Sequence, residues 1–136
     1  MKYLITPLLL LCCSLAFTQD QATESVTPDF KAFDLKDLEG QMEESGRPWL
    51  PFLKVPTLST GIYTLKVGAT DRQQPHDQDE VYYVMKGKAK FEAGGEKSNV
   101  KEGSILFVKA EVPHRFYEIE QDLQVLVFFS AAEKEK

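Results

Sequence analysis

The chain is poor in the residues that most often carry reactive chemistry. Its 136 residues include two cysteines, Cys12 and Cys13, two histidines, His76 and His114, and one tryptophan. Both cysteines lie in the apolar run that opens the chain, so the rest offers no disulfide and no thiol nucleophile. Clustered basic charge is missing as well. Sixteen Lys and Arg stand against 21 Asp and Glu, a formal charge of −5. Such a chain repels a phosphate backbone, which excludes nucleic acid as an expected partner. No apolar run reaches the roughly 18–20 residues of a membrane-spanning helix. What is present suits a globular domain: 43% of the residues are hydrophobic and 11% aromatic, enough for a core and too many for a disordered chain. The length is that of one domain.

The first residues differ from the rest. Met1-Lys2 is a short basic start, and Tyr3 to Phe17 is apolar with "LLLLCC" at its centre. Small residues follow at Ser14, Ala16 and Thr18. This order reads as a secretory signal peptide over residues 1–18, cleaved near Ala16 to Gln19. The expected mature protein is secreted or periplasmic and not membrane-bound. It has lost Lys2, leaving 15 basic against 21 acidic residues, a charge of −6. The same run also fits an uncleaved anchor or a buried strand.

Residues 19–46 read as an N-terminal arm followed by a short helix. Asp34 can cap a helix over Leu35 to Glu44, where Leu35, Leu38 and Met42 recur at helical spacing and Ser45-Gly46 can end it. Beyond "RPWLP" the pattern is strand and turn. Strands are expected over Leu58–Val67, Glu80–Met85, Lys88–Ala93, Lys97–Val100, Ile105–Val108, Arg115–Ile119 and Leu123–Phe129. Gly94-Gly95 marks a hairpin, and "EQD" is expected to turn between the last two strands. Closely spaced strands with glycine-marked turns predict an all-β barrel or sandwich over residues 47–130. The charged "EKEK" end reads as a solvated tail over 131–136.

The stretch "PHDQDEVYYVMKG", Pro75 to Gly87, joins polar residues to an apolar strand. Side chains alternate along a strand, so Glu80, Tyr82 and Val84 share a face. Pro75 puts His76 on a bend at the strand's entrance, within reach of the same point as Glu80. On a later strand His114, Phe116 and Glu118 share a face. Each histidine stands just after a proline. Two histidines and a carboxylate converging in a barrel make a facial triad for Fe(II) and related divalent metals.

These residues resemble the two motifs of the cupins, as small single-domain members carry them. The first motif runs Gly, five residues, His-x-His, three or four residues, Glu, six residues, Gly. Here Gly68, Gln74, His76, Glu80 and Gly87 hold those places, with Gln74 at the first His. The second is matched by Gly103 and His114 at full spacing, while Lys109, Glu111 and Glu118 replace its Pro, second Gly and Asn. The resemblance covers Leu53 to Phe129. It implies a jelly-roll β-barrel of the RmlC-like kind, often dimeric, with one internal metal held by His76, Glu80 and His114. Gln74 would be a fourth, weaker donor.

The implied cofactor is one divalent ion among Fe2+, Mn2+, Zn2+ and Ni2+. The carboxylate favours Fe2+ or Mn2+ over a three-histidine oxygenase centre. The expected activity is metal-dependent oxygenase, isomerase or lyase chemistry on a small molecule, such as a dioxygenase performs. The alternative is a barrel that binds or senses a small molecule without turnover, with or without metal. Glu118 and Tyr82 are the candidate catalytic groups. Rim exposure is the competing reading for Glu118, and core or pocket wall for Tyr82, Phe107, Phe116 and Phe128. Gln74 reads equally as a surface turn residue, and Asp77 and Asp79 as solvated.

Overall fold

Residues 29–131 are described in the structure, a computed structural model. The expected signal segment 1–18, the arm up to residue 28 and the tail beyond Ala131 lie outside the described residues.

One helix and six strands follow in order: α1 Leu35–Ser45, β1 Trp49–Val55, β2 Leu58–Leu65, β3 Glu80–Ala93, β4 Glu96–Lys101, β5 Ile105–Val108 and β6 His114–Ser130. The helix begins where Asp34 accepts hydrogen bonds from the backbone N–H groups of Lys36 and Asp37, satisfying donors that have no intrahelical partner. It ends at Gly46, whose left-handed backbone (φ 61°) returns its N–H to Met42 O. Eleven residues are marginal as an isolated helix. Packing holds this one: Leu38 and Met42 are buried against Ile62, with Leu50, Phe52, Met85 and Leu126 around them. Leu35, counted in the same stripe by spacing, is exposed.

All strand pairs are antiparallel, in the order β1-β2-β6-β3-β4, with β5 on β3 beside β4. The barrel was expected to close. The end strands β1 and β4 do not pair with each other, so this is an open sheet of the jelly-roll kind. Both ends suit solvent. Pro51 in β1 has no N–H to offer a further strand, and β4, Glu96–Lys101, is exposed except at Val100. One sheet face carries the main core, including Tyr82, Phe91, Phe116, Leu123 and Val125. The opposite face takes α1.

Two expected breaks are absent. β3 runs 14 residues through Gly87, and β6 runs 17 residues through "EQD". The register between them shifts three times between Val84 and Lys90, so the bend is made by bulges inside paired strands. Each strand changes phase there. Core-facing positions of β3 are Glu80, Tyr82 and Val84, then Ala89 and Phe91; those of β6 are His114 and Phe116, then Ile119, Leu123 and Val125. Gly87 (φ 94°) is needed at this place, because a Cβ there would collide with the Asp122 carbonyl.

β1 was not singled out as a strand in the sequence. It pairs with β2 from Trp49 to Val55 with an irregularity at Pro51. The Gly94-Gly95 hairpin forms as expected, with both residues at positive φ between the paired Ala93 and Glu96. Phe107 departs from the core reading. Alternation along β5 turns Leu106 and Val108 inward and leaves Phe107 65% exposed. Phe128 is half-buried, out of phase with the core-facing Val127. Among the described residues no helix is long and apolar enough to cross a membrane.

Candidate metal centre

The candidate centre forms where the first residues of β3 and β6 face the core. Glu80 sits between β5 and β6, opposite Val108 and Phe129, and its side chain is 1% exposed. His114 begins β6 with a side chain that is 0% exposed. His76 lies on the loop before β3 and is 35% exposed, the one member of the group that solvent reaches. Backbone bonds fix that loop. His76 O accepts from Glu111 N at 2.7 Å, and Asp79 O accepts from Ser130 N at 2.9 Å. Asp79 Oδ1 also accepts from Ala110 N at 2.8 Å. Asp79, read as merely solvated, therefore ties the loop to the segment after β5, while Asp77 is exposed.

One ligand-capable atom each from His76, Glu80 and His114 lies within 4.8 Å of the others. His76 Nδ1 is 2.5 Å from Glu80 Oε1, and His114 Nε2 is 3.7 Å from the same oxygen. The wall is aromatic: the Phe129 ring stands edge-on to His76 at 5.2 Å, and Phe91 and Phe116 pack on Tyr82. Water is kept from the buried side, where charges interact strongly.

A proton count shows what this cluster lacks. His114 Nδ1 is 2.8 Å from Val112 O. A carbonyl only accepts, so Nδ1 carries the hydrogen and Nε2 of the neutral ring presents a lone pair. That lone pair is 3.0 Å from the Tyr82 hydroxyl. The same hydroxyl is 3.0 Å from Gln73 Oε1 and hydrogen bonds to Glu80 Oε2. Both oxygens are acceptors when Glu80 is ionised. One phenol proton thus faces three acceptors. Every buried side-chain polar atom among the described residues has a partner in reach, but one proton serves one acceptor at a time. An unsatisfied buried acceptor costs about 1–3 kcal/mol. A cation relieves such a surplus of lone pairs, so two imidazoles and a carboxylate in a dry wall fit a divalent metal.

Tyr82 stands in the centre of this group. Burial, then the neighbouring Glu80 carboxylate, push its phenol far above the ordinary value of 10.0, so it keeps its proton. Glu118 is not brought into the group. It has positive φ (44°), turns outward at the change of phase in β6, and pairs with Lys90 Nζ at 2.5 Å. Gln74 is exposed, and its amide nitrogen is 3.5 Å from Arg72 O. Gln73 and Asp71, neither singled out in the sequence, are the residues that reach inward. Residues 71 to 74 alternate in exposure, but the sequence there, Asp-Arg-Gln-Gln, is polar throughout and carries no apolar alternation that could have announced it.

A cleft of about 780 Å³ lies elsewhere, between α1 and the end of the sheet where Leu65 pairs with Leu123. It contains none of the three donor residues. A smaller one of about 360 Å³ touches His114 beside Gly94, Gly95 and Pro113. Volume alone supplies no reactive group, so the cluster of His76, Glu80 and His114 is the candidate centre.

Comparison with known proteins agrees with the fold. A protein of Streptomyces coelicolor described as uncharacterized is 45% identical over 103 residues, covering 76% of this chain and 98% of that protein. The crystal structure of TT1209 from Thermus thermophilus is similar with a TM-score of 0.59 and 22% identity, covering 75% of this chain and 98% of that one. A salicylate 1,2-dioxygenase variant from Pseudoaminobacter salicylatoxidans, in complex with gentisate, is similar with a TM-score of 0.61 and 17% identity. There the match covers 74% of this chain and 33% of the dioxygenase chain. The family described as the cupin domain matches residues 61–129, from the inner glycine of β2 to the phenylalanine that closes over His76, and the chain belongs to that family.

Proposed function

We propose that this protein is an exported cupin that holds one divalent cation through His76, Glu80 and His114 and presents it to a small molecule. The observation that carries the reading is the convergence of two imidazoles and one carboxylate, with ligand atoms within 4.8 Å of one another, in a largely buried cluster around Tyr82. Such a cation, bound by two imidazoles and one carboxylate, would act as a Lewis acid or redox centre with open positions. The chain's own residues set the conditions. Glu80 supplies buried negative charge, and His114 is held in one tautomer by Val112 O. Tyr82 keeps a proton on its hydroxyl and donates it to the Glu80 carboxylate, which holds that side chain in place.

Oxygenase-type chemistry is the first activity to test. The donor set favours Fe2+ or Mn2+. The likeness to a dioxygenase crystallised with gentisate is one of fold, and it supports a small organic substrate without naming it. Isomerase or lyase chemistry at the same centre is the next class. Export rests on the sequence of residues 1–18, and mass spectrometry of the native protein finding Met1 to Leu15 intact would refute it.

The deciding experiment is elemental analysis of the purified full chain, followed by oxygen-uptake assays with small aromatic acids on the loaded protein. About one equivalent of Fe, Mn or another divalent metal is expected, and its loss in His114→Ala. A wild-type protein that binds no divalent metal overturns the reading.

A further inference from the structure

The loop before β3 aims one amide into the site. Asp71 accepts four hydrogen bonds: from Tyr63 Oη at 2.8 Å, Gln73 N at 3.1 Å, Gln73 Nε2 at 2.8 Å and Phe116 N at 2.8 Å. The carboxylate is therefore pinned to β2 and β6 at once. Because an ionised carboxylate only accepts, the Gln73 amide must turn its nitrogen to Asp71 and its oxygen the other way. That oxygen, Oε1, lies 3.0 Å from the Tyr82 hydroxyl, which also touches Glu80 and His114. Gln74, one residue on, is exposed and carries no contact to any of them.

We infer that Gln73, not Gln74, supplies the fourth protein donor of the metal centre, and that Asp71 is the positioning residue that orients it. The inference rests on the metal reading above and adds a residue to it. An amide oxygen is a neutral, hard donor, weaker than imidazole, and suits a site for Fe2+ or Mn2+. Its orientation is fixed before any cation arrives, so little ordering cost falls on binding. Position 74 carries the motif's spacing, but the chain alternates through residues 71 to 74, and Asp71 and Gln73 take the inward parity.

The test measures Mn2+ affinity of the full chain by calorimetry, with the visible spectrum of bound Co2+ as a second readout. Gln73→Leu is expected to weaken Mn2+ binding about tenfold and to change the Co2+ spectrum. Asp71→Asn, which frees the amide to flip, should weaken binding in the same direction. Gln74→Leu should leave both readouts as in the wild type. Far-ultraviolet dichroism and a thermal melt check that each variant is folded. Tyr82→Phe separates direct from indirect action: in that background Gln73→Leu must still weaken binding, and no further effect would show that Gln73 works only through the phenol, overturning the inference. Wild-type affinity in Gln73→Leu, or weakened binding in Gln74→Leu, also overturns it. In those cases loss of binding in His114→Ala leaves the metal reading standing, whereas a wild type that binds no Mn2+ removes both.

Discussion

Glu80 and Tyr82 stand one strand repeat apart on the same face of β3, and the Tyr82 hydroxyl hydrogen bonds to the Glu80 carboxylate. The local pleat thus delivers a proton donor beside the buried negative charge without any help from a distant segment. The carboxylate needs such a donor, because an uncompensated buried charge is costly.

The donor residues are separable by metal content. Replacing His76 or His114 with Ala, or Glu80 with Gln, should remove most bound metal, since each would supply one of the three main donors of the proposed site. Elemental analysis per folded chain reads the result. A double His76→Ala, His114→Ala protein that keeps full metal content would sink the assignment.

Asp79 has a different task. Its carboxylate accepts the Ala110 N–H at 2.8 Å, and Asp79→Ala should cost about 1 kcal/mol of stability. Metal content should stay unchanged. Asp77→Ala should alter neither quantity. Urea denaturation of both variants, compared with their metal content, checks the separation.

Gly61 makes room for an indole. A Cβ there would sit 2.7 Å from Leu50 O and closer still to the Trp49 ring. Gly61→Ala should force Trp49 outward and cost about 1–3 kcal/mol. Denaturation followed by tryptophan fluorescence reports both, because Trp49 is the one tryptophan of the chain.

Tyr63 gives a pH dependence of known sign. Burial, then its hydrogen bond to Asp71, raise the phenol above the ordinary 10.0. The folded state therefore keeps a proton that the unfolded chain releases. The stability this contributes is full below pH 10, the unfolded value, and is lost as pH rises toward the folded one. Tyr63→Phe removes the effect, so its stability should fall less than that of the wild type between about pH 9.5 and 11.5. Urea unfolding at the two ends of that window decides it; equal losses would refute the argument.

The sequence was legible where several local signals agreed. Asp34, the Leu38–Met42 spacing and Gly46 all pointed to one helix, and Gly94-Gly95 to one hairpin. The meeting of His76, Glu80 and His114 was legible because spacing from Pro75 and Pro113 put them at strand entrances. Phase was not legible. Gly87 and "EQD" read as punctuation, whereas paired strands absorb the bend in bulges that no single residue announces. That is why Glu118 was placed on the face of His114 and turns away from it. The same limit hid Gln73: motif spacing counts residues, while inward orientation depends on the hydrogen bonds of Asp71.

The coupled change of phase in β3 and β6 has a consequence for how this chain can vary in length. From the Val84–Val125 pair to the Lys90–Tyr117 pair β3 advances six residues and β6 eight, so the half of the sheet that holds Glu80 and the half that holds the hairpin are joined with an offset of two residues. Removing one residue from β3 alone near Gly87 would take away its change of phase and leave that of β6 unmatched across the pair. Removing one from each strand, around Gly87 and near Glu118, would leave that offset in place and let both strands alternate without a break, keeping both faces. Insertions and deletions here should therefore be accepted in pairs, and a sequence alignment that opens a gap in only one of these strands is out of step with the molecule.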